Sequence, residues 1–374
     1  MAHTDKTPFA ANAQRLSLAQ WCLAGAILLA VTSGLPLAWQ RIEPLPGLTD
    51  NRIPFRLGND YWMFDRYARE DVGANATLLL GDSVIWGHYV SREQTLSAHL
   101  NRIAGAGDFA NLGVDGIHPA ALAGLLDCYG QRIAGQRVVL QCNLLWMSSP
   151  QHDLTSGKEF AFNHSTLVPQ FWPRINCYRE PLSARLSNVV NRNSRFLSWA
   201  KHLQIAYLGG SDWATWTLDH PYDNPLGQLT LSLPSPDERP TPAPTLKPWT
   251  EQGIRPANFR WVDFSKSYQW ESFQRAVQLL RERDNSLFVV VGPFNEHMIQ
   301  PESLKLYRSR KETVARWLDE QHVPFVIADV LPSETYADAS HPLDDGYRIW
   351  AERLMSDSVF RRFSRRIYSG EQLQ

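Results

Sequence analysis

Ser83 stands in Gly81-Asp82-Ser83, directly after a short apolar run, 76–80 (ATLLL). A serine hydroxyl is a poor nucleophile near neutral pH and needs a base beside it. Far along the chain, Asp338-Ala339-Ser340-His341 offers a histidine with an acid three residues before it. Between these lie Asn111-Leu112-Gly113-Val114-Asp115-Gly116, Asn143, and Gly292-Pro293-Phe294-Asn295-Glu296-His297. Each piece has a plainer reading. A G-D-S tripeptide is more often a turn with an N-cap serine, an N-x-G is usually a turn, and a D-x-x-H is usually a solvated loop. Their joint occurrence is harder to reach by accident. Together they bring a hydroxyl, a glycine, an amide, a polar loop and an acid–histidine pair, which is equipment for nucleophilic attack on an acyl group.

The elements that must position these residues read as α/β. Apolar runs at 76–80, 108–114, 138–142, 286–291 and 323–328 are strand candidates, and the last two look like buried parallel strands. Helical spacing appears in Leu122, Leu125, Leu126 and Tyr129, in Phe273, Ala276, Val277 and Leu280, over about 302–320, and in Tyr347, Trp350, Ala351 and Leu354. Strand and helix alternate, so the expected fold is a three-layer, doubly wound parallel sheet of the flavodoxin-like kind. In such sheets ligands bind beyond the carboxyl ends of the strands. All the residues named above follow strand candidates, so they share one rim.

This pattern resembles the SGNH (GDSL-like) hydrolase superfamily. The matches to its four blocks are Ser83, Gly113, Asn143 and His341, and the resemblance covers about 76–149 and 285–359. It implies a catalytic triad: His341 takes the Ser83 proton and returns it to the leaving group, and Asp338 fixes the imidazole tautomer. It assigns the oxyanion hole to the N–H groups of Ser83 and Gly113 and to the Asn143 side chain. At Gly113 a missing Cβ lets the backbone approach the substrate. Asp82, Asn295 and His297 are taken as substrate-binding. Block three reads Gln141-Cys142-Asn143-Leu144 where the common form is Gly-x-Asn-Asp, which argues against a typical secreted lipase or esterase. The carboxyl half, with Pro293, Asn295, Asp338 and His341, looks like the membrane-anchored SGNH proteins of D-alanyl transfer and alginate O-acetylation.

An anchor is indeed expected. Residues 16–40 carry no charge, and 21–39 (WCLAGAILLAVTSGLPLAW) has a Trp at each end. Those 19 residues span roughly 29 Å as a helix, about the hydrocarbon thickness of a bilayer. A cleaved signal peptide is the alternative, with Ser33, Gly34 and Ala38 as small residues, although Pro36 spoils the cleavage pattern. The expected organisation is therefore a cytoplasmic start at 1–15, the anchor at 16–40 and a stem at 41–75. The catalytic domain occupies 76–149 and 262–359, split by an insertion at 150–261, and a basic tail fills 360–374.

The insertion breaks the α/β rhythm. It holds Trp172, Trp199, Trp213, Trp216, Trp249 and Trp261, and nine prolines fall within 221–256, a density that neither helix nor central strand tolerates. Its tryptophans read first as packing and second as a sugar-stacking surface. The tail's Arg361, Arg362, Arg365 and Arg366 read as a solvated face.

Composition narrows the function class. Lys+Arg 37 against Asp+Glu 38 gives a net charge of -1 over 374 residues, which speaks against a bulk electrostatic claim on nucleic acid. Zinc-protease, Walker A and dinucleotide fingerprints are absent, and no cofactor or metal is expected. His88, His118 and His297 read as pocket-lining or surface residues. Of the four cysteines Cys22 lies in the span, so Cys128, Cys142 and Cys177 can form at most one disulfide. The expectation is a single-pass protein of the cytoplasmic membrane with its domain outside. It would be a serine esterase or O-acyltransferase acting on an acylated envelope polysaccharide or another ester, with a membrane acyl-export protein as a partner. The alternative is a non-catalytic module that binds polysaccharide or a partner protein. The two separate on whether His341 reaches Ser83.

Overall fold

The computed structural model describes residues 16–45, 50, 52–237 and 246–364. The expected cytoplasmic start, Arg365, Arg366 and the middle of the proline-rich stretch lie outside those residues. Two compact units are present, Met1–Pro44 and Leu45–Gln374. The first is built on helix α1 (Leu18–Ile42). Ser17 opens it with a capping box, its Oγ accepting from the Gln20 N–H while the Gln20 side chain accepts from the Ser17 N–H. Leu18, Leu23, Leu28 and Leu29 are all more than 60% exposed along it. The helix is long and apolar enough to cross a membrane.

The second unit holds a five-stranded parallel sheet: β1 (Thr77–Leu80), β2 (Phe109–Asn111), β3 (Arg137–Cys142), β4 (Ser286–Val291) and β5 (Phe325–Ile327). Its order is β2-β1-β3-β4-β5. The chain moves outward from β1 to β2, then returns past β1 to β3, so the direction of winding reverses between β1 and β3. Each of the five strand candidates falls on a strand; β1, β3 and β4, buried along most of their length, stand out as apolar runs for that reason, whereas β5 is half-buried.

Helix α2 (Tyr61–Gly73) precedes the sheet, α3 (Ser83–Trp86) and α4 (Leu96–Ala104) follow β1, and α5 (Pro119–Cys128) follows β2. The long interval after β3 carries α6 (Leu182–Asn193), α7 (Arg195–Tyr207), α8 (Trp213–Asp219) and then α9 (Tyr268–Arg281). Helix α10 (Pro301–Glu320) joins β4 to β5, and α11 (Asp344–Ser356) and α12 (Ser358–Ser364) close the described chain. Helix α5 pairs with α9, whereas α4 packs on α11 and α11 on α12. Leu79, Val139, Phe288 and Val290 of the sheet share one core with Leu96 and Leu100 of α4 and Trp350 and Leu354 of α11. Strand side chains alternate in direction, so Leu78, Leu140 and Val289 serve the opposite face.

The stretch read as a stem packs on the domain: Ile53, Leu57, Trp62, Met63 and Phe64 are buried. The domain runs past 359. Phe360 is fully buried, stacked on Phe109 and edge-on to Phe288, so α12 completes the core beneath a run of arginines. The insertion is more helical than its composition indicated, with α6–α8 in its first half. From 221 to 256 the described residues hold only two short 3-10 turns, Pro225–Gln228 and Trp249–Gln252, as the prolines require. Trp199, Trp216, Trp249 and Trp261 are buried, so packing explains most of the tryptophans; Trp172 is 86% exposed. The four cysteines are free.

Candidate functional site

Ser83 is the first residue of α3, with Asp82 as N-cap. At that position its own N–H has no partner within the helix. Its Oγ lies 2.8 Å from His341 Nε2. His341 Nδ1 lies 2.8 and 2.9 Å from the two carboxylate oxygens of Asp338. A carboxylate accepts, so the proton sits on Nδ1 and Nε2 is left with the lone pair that can take the serine proton. The Asp338 loop is itself held. One Asp338 oxygen accepts from the Ser340 and His341 N–H groups, and the Asn295 side-chain amide donates to the Asp338 carbonyl.

The electrostatics agree with this arrangement. Burial alone would push Asp338 up, but the charge and hydrogen bond of His341, with the two backbone donors, hold it down at about 2. Burial alone would lower His341, yet Asp338 foremost, then Asp82 and Asp115, raise it above the ordinary value. The imidazolium formed on accepting a proton is therefore stabilised.

Asp82, Asn295 and His297, expected to bind substrate, each have a partner within the protein. Asp82 turns inward: one oxygen accepts from the Val84 N–H at 2.9 Å, the other from Asn143 Nδ2 at 2.8 Å and Trp146 Nε1 at 2.7 Å. Burial raises its pKa against those three donors. Asn295 is wholly buried and orients the Asp338 loop. His297 is exposed and meets the Leu331 carbonyl at 3.1 Å, with no contact to the triad.

The oxyanion candidates divide in the same way. Asn143 caps the turn Leu144–Met147 through Oδ1 and gives one Nδ2 hydrogen to Asp82, which fixes the amide and leaves its second hydrogen. The Gly113 N–H, expected to face an oxyanion, instead donates to Asn111 Oδ1 at 3.0 Å. This is the N-x-G turn of the plainer reading. Asn111 Nδ2 in turn donates to the Ile85 carbonyl, tying the β2 loop to α3. Gly113 is glycine for a packing reason: a Cβ there would stand 2.4 Å from the Trp86 nitrogen and 2.8 Å from the Ile85 carbonyl carbon. Gly113→Ala is expected to destabilise the domain by about 1–3 kcal/mol or more, since backbone must move. A thermal unfolding curve that overlays the wild type would contradict this.

Several contacts around the site join residues that no spacing in the sequence relates. Arg52, fully buried, donates from Nη1 to the carbonyls of Gly87 and Val90 at 2.8 and 2.9 Å and stacks 4.2 Å over the Trp86 ring. It thereby secures the far end of α3 from a segment more than thirty residues upstream. Gly87 ends that helix at φ +87, a left-handed conformation that glycine adopts without strain. Tyr347 Oη donates to the Val84 carbonyl at 2.6 Å, so α11 grips the same helix. Tyr89 packs edge-on to His341 at 5.2 Å. His88 pairs with Asp115 at 2.6 Å. His118, by contrast, is buried and bonded to the Asn163 carbonyl, and burial lowers it to about 3.

A cavity of about 900 Å3 lies away from Ser83 and is lined by Asp115, Asn59, Tyr61, Asn163, His164 and Arg192 among others. Among the described residues no three His, Cys, Asp or Glu side chains converge as metal ligands. Chemically the arrangement is a serine with its base engaged and the base oriented by a carboxylate. No family model matches the chain, and no curated protein matches it either.

Proposed function

We propose that this chain is a membrane-anchored serine esterase or O-acyltransferase of the SGNH type, working through an acyl-enzyme on Ser83. Its substrate class is an acylated envelope polysaccharide or a related ester. The observation that carries the reading is the continuous Ser83–His341–Asp338 hydrogen-bond chain at 2.8 Å on each side of the imidazole. A non-catalytic binding module would have no cause to maintain it. Ser83, Gly113, Asn143 and His341 follow four different elements, yet the nucleophile, base and amide meet at the carboxyl ends of β1 and β3, the switch point where ligands bind in such sheets.

In this mechanism His341 Nε2 takes the Ser83 proton as Oγ attacks the ester carbonyl. The new C–O bond leaves charge on the carbonyl oxygen, which the Ser83 N–H and the second Asn143 amide hydrogen receive. Collapse expels the alcohol, protonated by His341, and leaves Ser83 acylated. Water or a sugar hydroxyl then attacks by the reverse route, giving hydrolysis or transfer. The apolar α1 helix supports an anchor. We further propose that the domain lies on the extracytoplasmic face and that an acyl-exporting membrane protein is the source of acyl groups in the transfer case. Asn143→Ala is expected to lower kcat ~100- to 1000-fold with little change in KM. An unchanged kcat would remove Asn143 from the oxyanion hole.

The test of function is direct. The full-length chain in detergent is incubated with an acetyl ester and a glycan acceptor, and products and protein are resolved by mass spectrometry. An acetyl adduct on the Ser83 peptide, with acetate or acetylated glycan formed, is the expected result. Absence of both adduct and ester turnover would contradict it.

A further inference from the structure

A second carboxylate-fixed imidazole stands beside the triad. His88 Nδ1 lies 2.6 Å from Asp115 Oδ1, and the His88 ring is 5.5 Å from that of His341. The two members come from the two loops that frame the nucleophile. The His88 backbone N–H donates to the Ser83 carbonyl at 3.1 Å, and Asp115 follows Gly113 by two residues. Because the carboxylate accepts, neutral His88 carries its proton on Nδ1 and presents a lone pair on Nε2. The side chain is 26% exposed, so His88 is not sealed in the core. Tyr89 braces the ring edge-on at 4.7 Å.

Asp115 is further fixed from the cavity side. Its carbonyl accepts from His164 Nε2 at 2.8 Å, which leaves His164 Nδ1 to accept the Tyr61 hydroxyl at 3.0 Å. Tyr61, His164 and Asp115 all line the 900 Å3 cavity. That volume admits sugar-sized groups, and its wall of hydroxyls and amides suits a hydroxyl-rich one.

We propose that His88, oriented by Asp115, accepts a hydrogen bond from the hydroxyl neighbouring the esterified oxygen, so that the site selects alcohols with two adjacent hydroxyls, as on a sugar ring. This rests on the serine-hydrolase reading above. The argument is positional. The alcohol oxygen must lie at His341 Nε2, which gives or takes its proton. Two polar side chains flank that ring, His88 and Tyr89. His88 is the one held by Asp115, which also lines the cavity. A neighbouring hydroxyl therefore has a fixed acceptor, and an alcohol without one leaves that acceptor unmatched.

The experiment is a competition in one tube: the full-length chain in detergent with 2-hydroxypropyl acetate and propyl acetate, the consumption of each followed by mass spectrometry. Fluorophosphonate labelling of Ser83 is measured in parallel. The wild type is expected to prefer the hydroxylated ester. His88→Ala should reduce that preference about ten-fold, the scale of one lost hydrogen bond. Asp115→Asn should reduce it as well, and His88→Gln, which retains an acceptor, should recover part of it. A merely structural staple would change both esters alike and leave the ratio untouched. An equal ratio in wild type and His88→Ala, with Ser83 labelled in both, would overturn the proposal alone. Absence of labelling in the wild type would overturn the serine reading and this one with it.

Discussion

Replacing His341 with alanine is expected to lower kcat for ester cleavage about a million-fold, the scale seen when a serine hydrolase loses its base. Ser83 Oγ has one imidazole at hydrogen-bond distance, 2.8 Å away. Without it the hydroxyl must lose its proton to water, and the leaving alcohol must depart unprotonated. The fold should tolerate the change, since His341 sits at the rim and its backbone N–H still meets Asp338. Steady-state acetate release by the full-length chain measures the effect, with thermal unfolding as a control. A loss of less than about ten-fold in a folded variant would mean that another group serves Ser83.

Asp338→Asn should cost about 10⁴-fold while leaving the fold intact. An amide can donate to Nδ1, which places the imidazole proton on Nε2, where it faces Ser83 and cannot accept. The same substitution carries a pH signature. His341 must be neutral to act, and its pKa is raised above the ordinary 6.5, chiefly by Asp338 against the opposing effect of burial. Activity in the wild type therefore falls as pH drops through a value above 6.5, so the acid limb of kcat/KM lies on the alkaline side of an ordinary histidine. With the Asp338 charge gone, burial prevails and the limb should move to lower pH. A limb that stays in place would show that Asp338 does not set the His341 titration.

The parts of this molecule that the sequence displays are those whose cause is local. Strands covered on both faces must be apolar throughout, so β1, β3 and β4 appear as runs, and the residue after each is marked as a rim position. Ser83, Asn143, Asp338 and His341 could be placed together for that reason. Direction is a different matter. Sequence placed Asp82 and Asn295 near the site but could not show that both turn inward, because side-chain orientation depends on the donors waiting there: Val84, Asn143 and Trp146 for Asp82, the Asp338 carbonyl for Asn295. Nor could it show that the Gly113 N–H is already taken by Asn111.

Non-local partners were hidden altogether. Arg52 has no spacing relation to α3, and His88 and Asp115 are 27 residues apart in different loops. Phe360 was masked by the arginines that follow it, charged residues on a helix whose Phe360 and Phe363 pack on the core. Helices α6–α8 lie in the Trp- and Pro-rich interval, where composition drew attention away from spacing: Leu182, Leu186, Val189 and Val190 of α6 do fall on one helical face.

The central claim is that Ser83 is the nucleophile. It is tested most directly by labelling the full-length chain, and Ser83→Ala, with a fluorophosphonate probe that reacts only with an activated serine. Stoichiometric labelling of the wild type on the Ser83 peptide and none of the variant is the predicted result. Equal labelling of the two, or a wild type that does not react, would contradict the account.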